Sequence, residues 1–308
     1  MARPLTRRKE DGTLYSRPQN IEAEIDVAVC QEEETLKHRL SVKTRTSPEY
    51  LSSECLLHLI RRSLTRNDRS IADLCMPVLY PATVQEVLDF GILGWGMSRF
   101  SGAWTGLKLT SDTVDAAAAV DGNPERVRLV VPNFDFPSDG VHIRAGDTWV
   151  SQEPRLRRAK LPAAMAFARA NAINTRIIDG PKRRYGIIAA AKAAMDTLQA
   201  LSEMGLDRRQ AADLGISMLK IGMPYPLDTE AVRNFADGLE EVFVVEEKRR
   251  LIEVGVKDAL FDLPEARRPR VVGRSDEKGQ LLLPEVGEFG SEEVARALAG
   301  RIAHFHTT

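Results

Sequence analysis

Between Tyr185 and Gly273 short apolar runs alternate with helix-patterned stretches, and this alternation constrains the fold more than any other feature of the chain. Tyr185-Gly-Ile-Ile-Ala-Ala190 reads as a strand and Lys192 to Met204 as a helix closed by Gly205. Ile216 to Ile221 is a strand leading into Gly-Met-Pro-Tyr-Pro, and Thr229 to Leu239 a helix. Val242 to Glu246, Lys248 to Leu260 and Pro269 to Gly273 continue the pattern as strand, helix and strand. Consecutive strands joined through helices pair in parallel, because a parallel partner is reached only by a long crossover. The expected fold is therefore α/β, a doubly wound parallel sheet. A last helix is expected from Ser291 to Ile302, opened by Ser-Glu-Glu.

Ahead of this sheet the pattern is shorter. Met76 to Pro81 reads as a strand, and Thr83 with Glu86 forms a capping-box start for a helix running to about Phe100. Gly91, Gly94 and Gly96 lower that helix's propensity and predict close packing against a neighbour. Trp104 to Leu109 follows as a strand, so 71–115 is expected to be a partial α/β half-domain. Residues 116–153 read as a connecting arm containing a strand at Val127–Val131. A helix over 154–174 opens the last domain, 154–308.

Residues 1–70 differ from the rest. The first twenty are polar and turn-rich and predict disorder. Ser47-Pro-Glu49 opens an amphipathic helix over 48–66, with Leu56, Leu59, Ile60 and Leu64 on one face and Arg61, Arg62 and Arg66 on the other.

Bulk properties exclude several function classes. With 43 Lys and Arg against 44 Asp and Glu, the chain has no global field to draw nucleic acid or an anionic membrane. No apolar run reaches the ~20 residues that cross a bilayer. Cys30, Cys55 and Cys75 are scattered and never form a C-x-x-C pair, against a disulfide framework, a zinc site or an iron–sulfur cluster. Free thiols imply a cytoplasmic location.

The remaining chemistry is sparse. Neither G-x-G-x-x-G nor the P-loop pattern is present. Ala189-Ala-Ala-Lys192 sits where a helix N-terminus could meet an anion, yet the turn lacks glycine. Asp121-Gly122, Gly146-Asp147 and Asp179-Gly180 read as turns. His304 and His306 form an H-x-H pair without a visible third ligand. Glu246-Glu247-Lys248 lies at the carboxyl end of a strand, the edge that faces the ligand crevice in open parallel sheets. Two carboxylates there could serve as acid and base, or could cap the following helix. Trp95, Arg99, Ser101, Trp104 and Lys108 gather at one helix–strand junction, composed like an interface or pocket wall, or like core. The candidate interface or crevice residues are thus Arg99, Trp104, Lys108, Glu246, Glu247 and Lys248, and no residue is assigned a catalytic, cofactor-binding or metal-binding role.

Several stretches carry a family resemblance. Pro77-Val-Leu-Tyr-Pro-Ala-Thr-Val-Gln-Glu-Val-Leu-Asp-Phe-Gly91 and Gly94-Trp-Gly-Met-Ser-Arg-Phe-Ser-Gly-Ala-Trp-Thr-Gly-Leu-Lys108 resemble the end of the pyrimidine-binding domain of indolepyruvate ferredoxin oxidoreductases. Lys160 to Asn171, Lys220 to Leu227, Val244 to Glu253 and Arg268 to Gly273 resemble the next domain of those enzymes, which is similar to the C-terminal domain of transketolase. The resemblance implies oxidative decarboxylation of an aryl-2-oxoacid, with coenzyme A as acyl acceptor and ferredoxin as electron acceptor. It implies thiamine diphosphate, Mg²⁺ and iron–sulfur clusters as cofactors. It also implies other domains or subunits of the oxidoreductase as partners, with a second copy of this chain as a further candidate.

The departures are specific. Residues 1–70 do not resemble the family, whose ring-activating glutamate would lie there. The Gly-Asp-Gly diphosphate site and the cluster cysteines are absent from the sequence. Ala191 stands where the family usually has Gly, and Arg250 where it usually has Pro. The expectation is a fragment or degenerate member that binds none of these cofactors alone and is not active alone. The alternative is a non-catalytic interaction module or scaffold subunit.

Overall fold

A computed structural model describes residues 6–8, 14–16, 72–123, 125–142 and 146–306. The chain divides into two units, Met1–Ser70 and Ile71–Thr308. In the first, β1 (Thr6–Arg8) pairs antiparallel with β2 (Leu14–Ser16), Arg7 opposite Tyr15. The helix read over 48–66 lies outside the described residues.

The second unit opens with a small parallel ribbon, β3 (Val78–Leu79) and β4 (Gly106–Leu107), joined through helix α1 (Val84–Ser101). Thr83 caps α1 as expected, but Glu86 does not close the capping box on the Thr83 amide. Thr83 accepts the Glu86 amide at 3.2 Å, and the Glu86 carboxylate reaches back to the Ala82 amide at 2.8 Å. Gly102, at φ 69°, ends the helix. Gly96 is closely packed: a Cβ there would stand 3.1 Å from both the Leu129 and Phe167 side chains, which would have to give by a few tenths of an ångström. Gly94 likewise faces Leu79 and Thr105, whereas Gly91, grouped with them in the sequence reading, faces open space.

A short helix, α2 (Ser111–Val114), follows β4, and the arm beyond it is mostly irregular. The strand expected at Val127–Val131 does not form. Its backbone is satisfied by a side chain instead: Asn171 accepts the Val130 amide and donates to the Val130 carbonyl, each at 2.8 Å. The next helix starts earlier than expected, as α3 (Trp149–Arg155) capped by Thr148, passes through a π-helical turn at Leu156–Lys160, and continues as α4 (Leu161–Ala170).

The main sheet contains β5 (Thr175–Ile178), β6 (Tyr185–Ala190), β7 (Ile216–Ile221), β8 (Glu241–Val245) and β9 (Arg270–Val272), in the order β5-β7-β6-β8-β9. β6 to β9 are mutually parallel and β5 joins the edge of β7 antiparallel. The doubly wound α/β reading is therefore correct, with β5 as an unforeseen antiparallel edge. Central β6 and β8 are buried at every position, as strands covered on both faces must be.

On one face Ile187, Ala189, Phe243 and Val245 pack under α5 (Ala191–Glu203) and α9 (Ser291–His306). The short α6 (Arg208–Asp213), also unforeseen, joins the same core. On the other face Ile188, Leu219, Val242 and Val244 pack under α7 (Thr229–Ala236) and α8 (Leu251–Phe261). A third core sets Phe90, Leu93 and Met97 of α1 against Ala164, Phe167 and Ala168 of α4. It joins the half-domain to the sheet domain. Among the described residues no helix is long and apolar enough to cross a membrane.

Candidate functional site

The candidate crevice is at the carboxyl edge of the sheet. β6 leaves into α5 on one face, while its neighbours β7 and β8 leave into α7 and α8 on the other. Helix connections that part in this way leave room above the strand ends, which is where ligands bind in open α/β sheets.

Ala191 begins α5 at that point, buried, with φ of 46°. Left-handed backbone costs a non-glycine residue roughly 1–2 kcal/mol, and alanine has the smallest side chain that bears it. The Ala-for-Gly difference noted in the sequence thus falls on a position whose backbone asks for glycine.

The charged groups around the crevice are tied to each other. Lys192 donates to Asp196 at 2.7 Å, to the Phe289 carbonyl at 2.6 Å and to Glu247 at 3.4 Å. Burial works against its ammonium, but Asp196 and Glu247 outweigh that and hold its pKa above the ordinary lysine value. Burial lifts the Asp196 carboxyl above its ordinary value even though Lys192 pulls it down. Lys248, at φ 60°, reaches Glu288 at 3.4 Å.

Glu246 is a helix cap. Its carboxylate accepts the amides of Leu251 at 3.1 Å, Ile252 at 2.9 Å and Glu253 at 3.1 Å, the first-turn donors of α8, of which Leu251 also bonds the Arg249 carbonyl. Of the two roles open to the Glu246-Glu247 pair, Glu246 takes the cap and Glu247 the ion pair with Lys192. Glu246→Ala is expected to cost about 1–2 kcal/mol by stripping those donors, with Glu246→Gln retaining part of it and Glu247→Ala costing less. Urea denaturation of the three variants measures the ranking, and equal losses for the two alanine variants would refute it.

The other candidate cluster divides. The Arg99 guanidinium stacks over Trp95 at 5.3 Å and the Lys108 ammonium over Tyr80 at 4.0 Å. Trp95 and Trp104 are 62% and 63% exposed, so neither is core. Ser101 is buried and donates to the Met97 carbonyl at 2.8 Å, a bond within α1.

Sequence reasoning missed the pair that ties α4 to the start of α7. Arg169 donates two bonds to Asp228, at 2.8 and 2.7 Å, and Asp228 also accepts the Ala231 amide at 3.0 Å. Burial alone would raise the Asp228 carboxyl, but these bonds hold it below the ordinary carboxylate value. The partners are 59 residues apart, so no local signal marks them.

The Asp-Gly motifs serve as turns and ion pairs. Asp121 accepts the Asn123 amide at 3.0 Å, Asp147 pairs with Arg155 at 2.7 Å and Asp179 with Arg176 at 3.2 Å. α9 carries His304 and His306, whose side chains lie outside the described ones.

Comparison with known proteins places these features. Residues 175–307 match the indolepyruvate oxidoreductase domain. Over that stretch the chain is similar to the indolepyruvate oxidoreductases. It is 26% identical over 234 residues to indolepyruvate oxidoreductase subunit IorA of Methanothermobacter thermautotrophicus, covering 73% of this chain and 34% of that subunit. The same subunit of Pyrococcus abyssi is 26% identical over 240 residues, covering 76% and 34%. The chain thus spans about a third of the length of the curated relatives it matches.

Among solved structures, a 2-oxoglutarate:ferredoxin oxidoreductase from Magnetococcus marinus overlaps at TM-score 0.42 and 12% identity, over 74% of this chain and 42% of that one. A split-gene transketolase, an inactive beta4 tetramer, overlaps at 0.40 and 16%, over 74% and 57%. At those scores the relationship rests on sequence rather than on superposition.

The cofactors of such enzymes make specific demands. Mg²⁺ with a diphosphate needs converging hard oxygens, and an iron–sulfur cluster needs several thiolates. Among the described residues no three His, Cys, Asp or Glu side chains converge on a metal position. The described thiol, Cys75, is free and buried. The neighbouring Tyr225 hydroxyl is pushed up to about 12, by burial first and then by its bond to Cys75. The described residues therefore do not fit these groups.

Proposed function

We propose that this chain contributes scaffold and interfaces to an indolepyruvate-type 2-oxoacid oxidoreductase and does not carry out the oxidation alone. In this reading 71–115 is the pyrimidine-binding-like segment, 116–153 the connecting arm and 154–308 the transketolase C-terminal-like domain. The observation that carries it is the domain match on 175–307, together with a crevice edge whose charged groups bond one another.

The assembled reaction would cleave the carboxylate of an aryl-2-oxoacid as CO₂ and join the remaining acyl group to the sulfur of coenzyme A. The electron pair released would pass to ferredoxin. Thiamine diphosphate, held by other domains or subunits, would supply the carbanion stabilisation. The site of this work would be the cytoplasm.

The test supplies the purified chain with thiamine diphosphate, Mg²⁺, indolepyruvate, coenzyme A and an electron acceptor. The expected result is no acyl-CoA from the chain alone. Thioester should appear when companion chains bearing the Gly-Asp-Gly site and cysteine clusters are added, and only with this chain present. Turnover by the chain alone, or stoichiometric uptake of thiamine diphosphate by it, would overturn the proposal.

A non-catalytic interaction module is the second reading. Its supporting observation is the apolar stripe that α1 turns toward solvent, with Leu88, Ile92 and Trp95 at 45%, 41% and 62% exposure.

A further inference from the structure

The connecting arm contains a stretch of extended chain with no strand beside it. From Val131 to Phe136 exposed and half-buried residues alternate without a break, the two-residue period of a strand. The inward set is tied down: the Phe134 and Phe136 rings stand 6.3 and 5.1 Å from that of Phe100 and 4.9 Å from each other. The outward set, Val131, Asn133 and Asp135, faces solvent. Among the described residues no hydrogen bond reaches the backbone of 131–136.

Successive residues of a strand turn their N–H and C=O groups to opposite edges. Val131, Asn133 and Asp135 therefore share one edge, complete in donors and acceptors. The other edge belongs to Pro132, Phe134 and Phe136 and lacks the proline donor. Arg128 and Asp135, both exposed and without an ion pair among the described residues, set opposite charges at the two ends of the run.

We propose that this edge takes up an extended segment of another polypeptide as an added antiparallel strand, with a basic side chain opposite Asp135, an acidic one toward Arg128 and apolar residues between them. The proposal stands on the arm alone and does not depend on the oxidoreductase reading.

The chemistry of the edge selects this occupant. Its amides and carbonyls give room for about six main-chain bonds, which any extended chain can supply. The side chains then choose among sequences. Val130 and Val131, 50% and 69% exposed, ask for apolar cross-strand neighbours, and the end charges ask for their opposites. A second copy of the arm does not meet these demands. Antiparallel pairing centred on Asn133 lays Asp135 across from Val131. The register that sets Asp135 against Arg128 pairs Val131 with Pro132, whose backbone groups belong to the other edge. Pro132 also hinders a further strand from adding on that side, so one segment completes the ribbon.

Fluorescence anisotropy of the full chain with the labelled peptide Lys-Val-Thr-Val-Val-Val-Thr-Glu tests the idea. Aligned antiparallel, its lysine stands opposite Asp135 and its glutamate opposite Arg128. Binding is expected with a dissociation constant between ~1 and ~500 μM. Changing the first peptide threonine, opposite Asn133, to proline should weaken it at least ~10-fold, and Asn133→Pro in the chain should do the same by removing an edge donor. Asp135→Lys should weaken the original peptide ~3–10-fold at low salt, and a peptide with glutamate in place of its lysine should recover the loss. Val286→Ser, which changes an exposed apolar side chain on another loop, should leave binding unchanged. Circular dichroism confirms that the variants are folded. Amide exchange followed by NMR should slow at Val131, Asn133 and Asp135 when the peptide binds, and not at Phe134 or Phe136. Absence of binding at ~1 mM peptide, indifference to both proline changes, or protection of the Phe134 and Phe136 amides instead would overturn the proposal. Self-association of the chain that Asn133→Pro abolishes would also overturn it, because the occupant would then be a second copy.

Discussion

Arg301→Ala is expected to lower stability by about 3–5 kcal/mol, which in a domain of this size is a fall of roughly 6–20 °C in melting temperature. Arg301 lies on α9 and grips Glu241 at the start of β8 through two bonds, one of them 2.7 Å from Nε. It also holds Glu277 at 3.0 Å. Glu241 is 1% exposed, so removing the guanidinium leaves a buried carboxylate whose remaining cation, Arg270, stands 3.9 Å away. The Glu241 bond also holds the arginine charged, raising its pKa above the ordinary value. Tyr185, packed beside them, has its hydroxyl raised well above the usual range, chiefly by burial and then by Glu241.

A buried pair contributes little over an apolar replacement, and its cost appears when one partner is lost. The double variant Glu241→Leu with Arg301→Met should therefore recover most of the loss. Thermal unfolding of the single and double variants decides the matter. A single-variant loss below about 1 kcal/mol would mean that water already reaches this pair.

The position of α9 explains why the pair matters to the crevice as well as to the fold. The helix is held at its far end by Glu241, at the amino edge of the sheet. The loop before it supplies the Phe289 carbonyl that receives Lys192 at the carboxyl edge. One helix thus fixes both edges of the same sheet. Neither bond could be read locally, because Lys192 and Phe289 are 97 residues apart and Glu241 and Arg301 are 60.

What was legible in the sequence follows the same division between local and distant causes. β6 and β7 were read to the residue, since buried parallel strands are unbroken apolar runs. β5 was not, because Thr175–Ile178 is a short edge strand interrupted by Arg176 and exists only through its pairing with β7. α6 was overlooked although Asp207 and Gln210 carry a local capping signal, their side chains bonding each other's backbone amides at 2.7 and 2.9 Å. Val127–Val131 has a strand's composition but meets a side-chain amide where a strand would need a neighbour. At the candidate site the position of Glu246 was visible as a strand end, while its service to three amides of α8 depends on how the loop turns back.

Gly222→Ala is expected to cost about 2–4 kcal/mol and to loosen the half-domain first. Gly222 follows β7 at the crevice edge, where the two α/β parts meet. Its amide donates to Asn174 at 2.9 Å and its carbonyl receives the Tyr80 amide at 2.8 Å, which docks β3. A Cβ at this position would run into the backbone carbonyl of Ile173 and stand 2.9 Å from the Phe90 ring. A side chain can turn aside, but the carbonyl cannot move without shifting the entry to β5. The strain should therefore open the contact that is easiest to give up, the bond to Tyr80.

Hydrogen exchange should show faster exchange across 78–107 than across β6 and β8, alongside a lower melting temperature. Gly300→Ala supplies the opposite sign with the same chemical change. It lies within α9 with nothing near its Cβ, so the methyl should add about 0.5–1 kcal/mol of helix stability. If both variants moved in the same direction, crowding at Gly222 would not be what holds the half-domain in place.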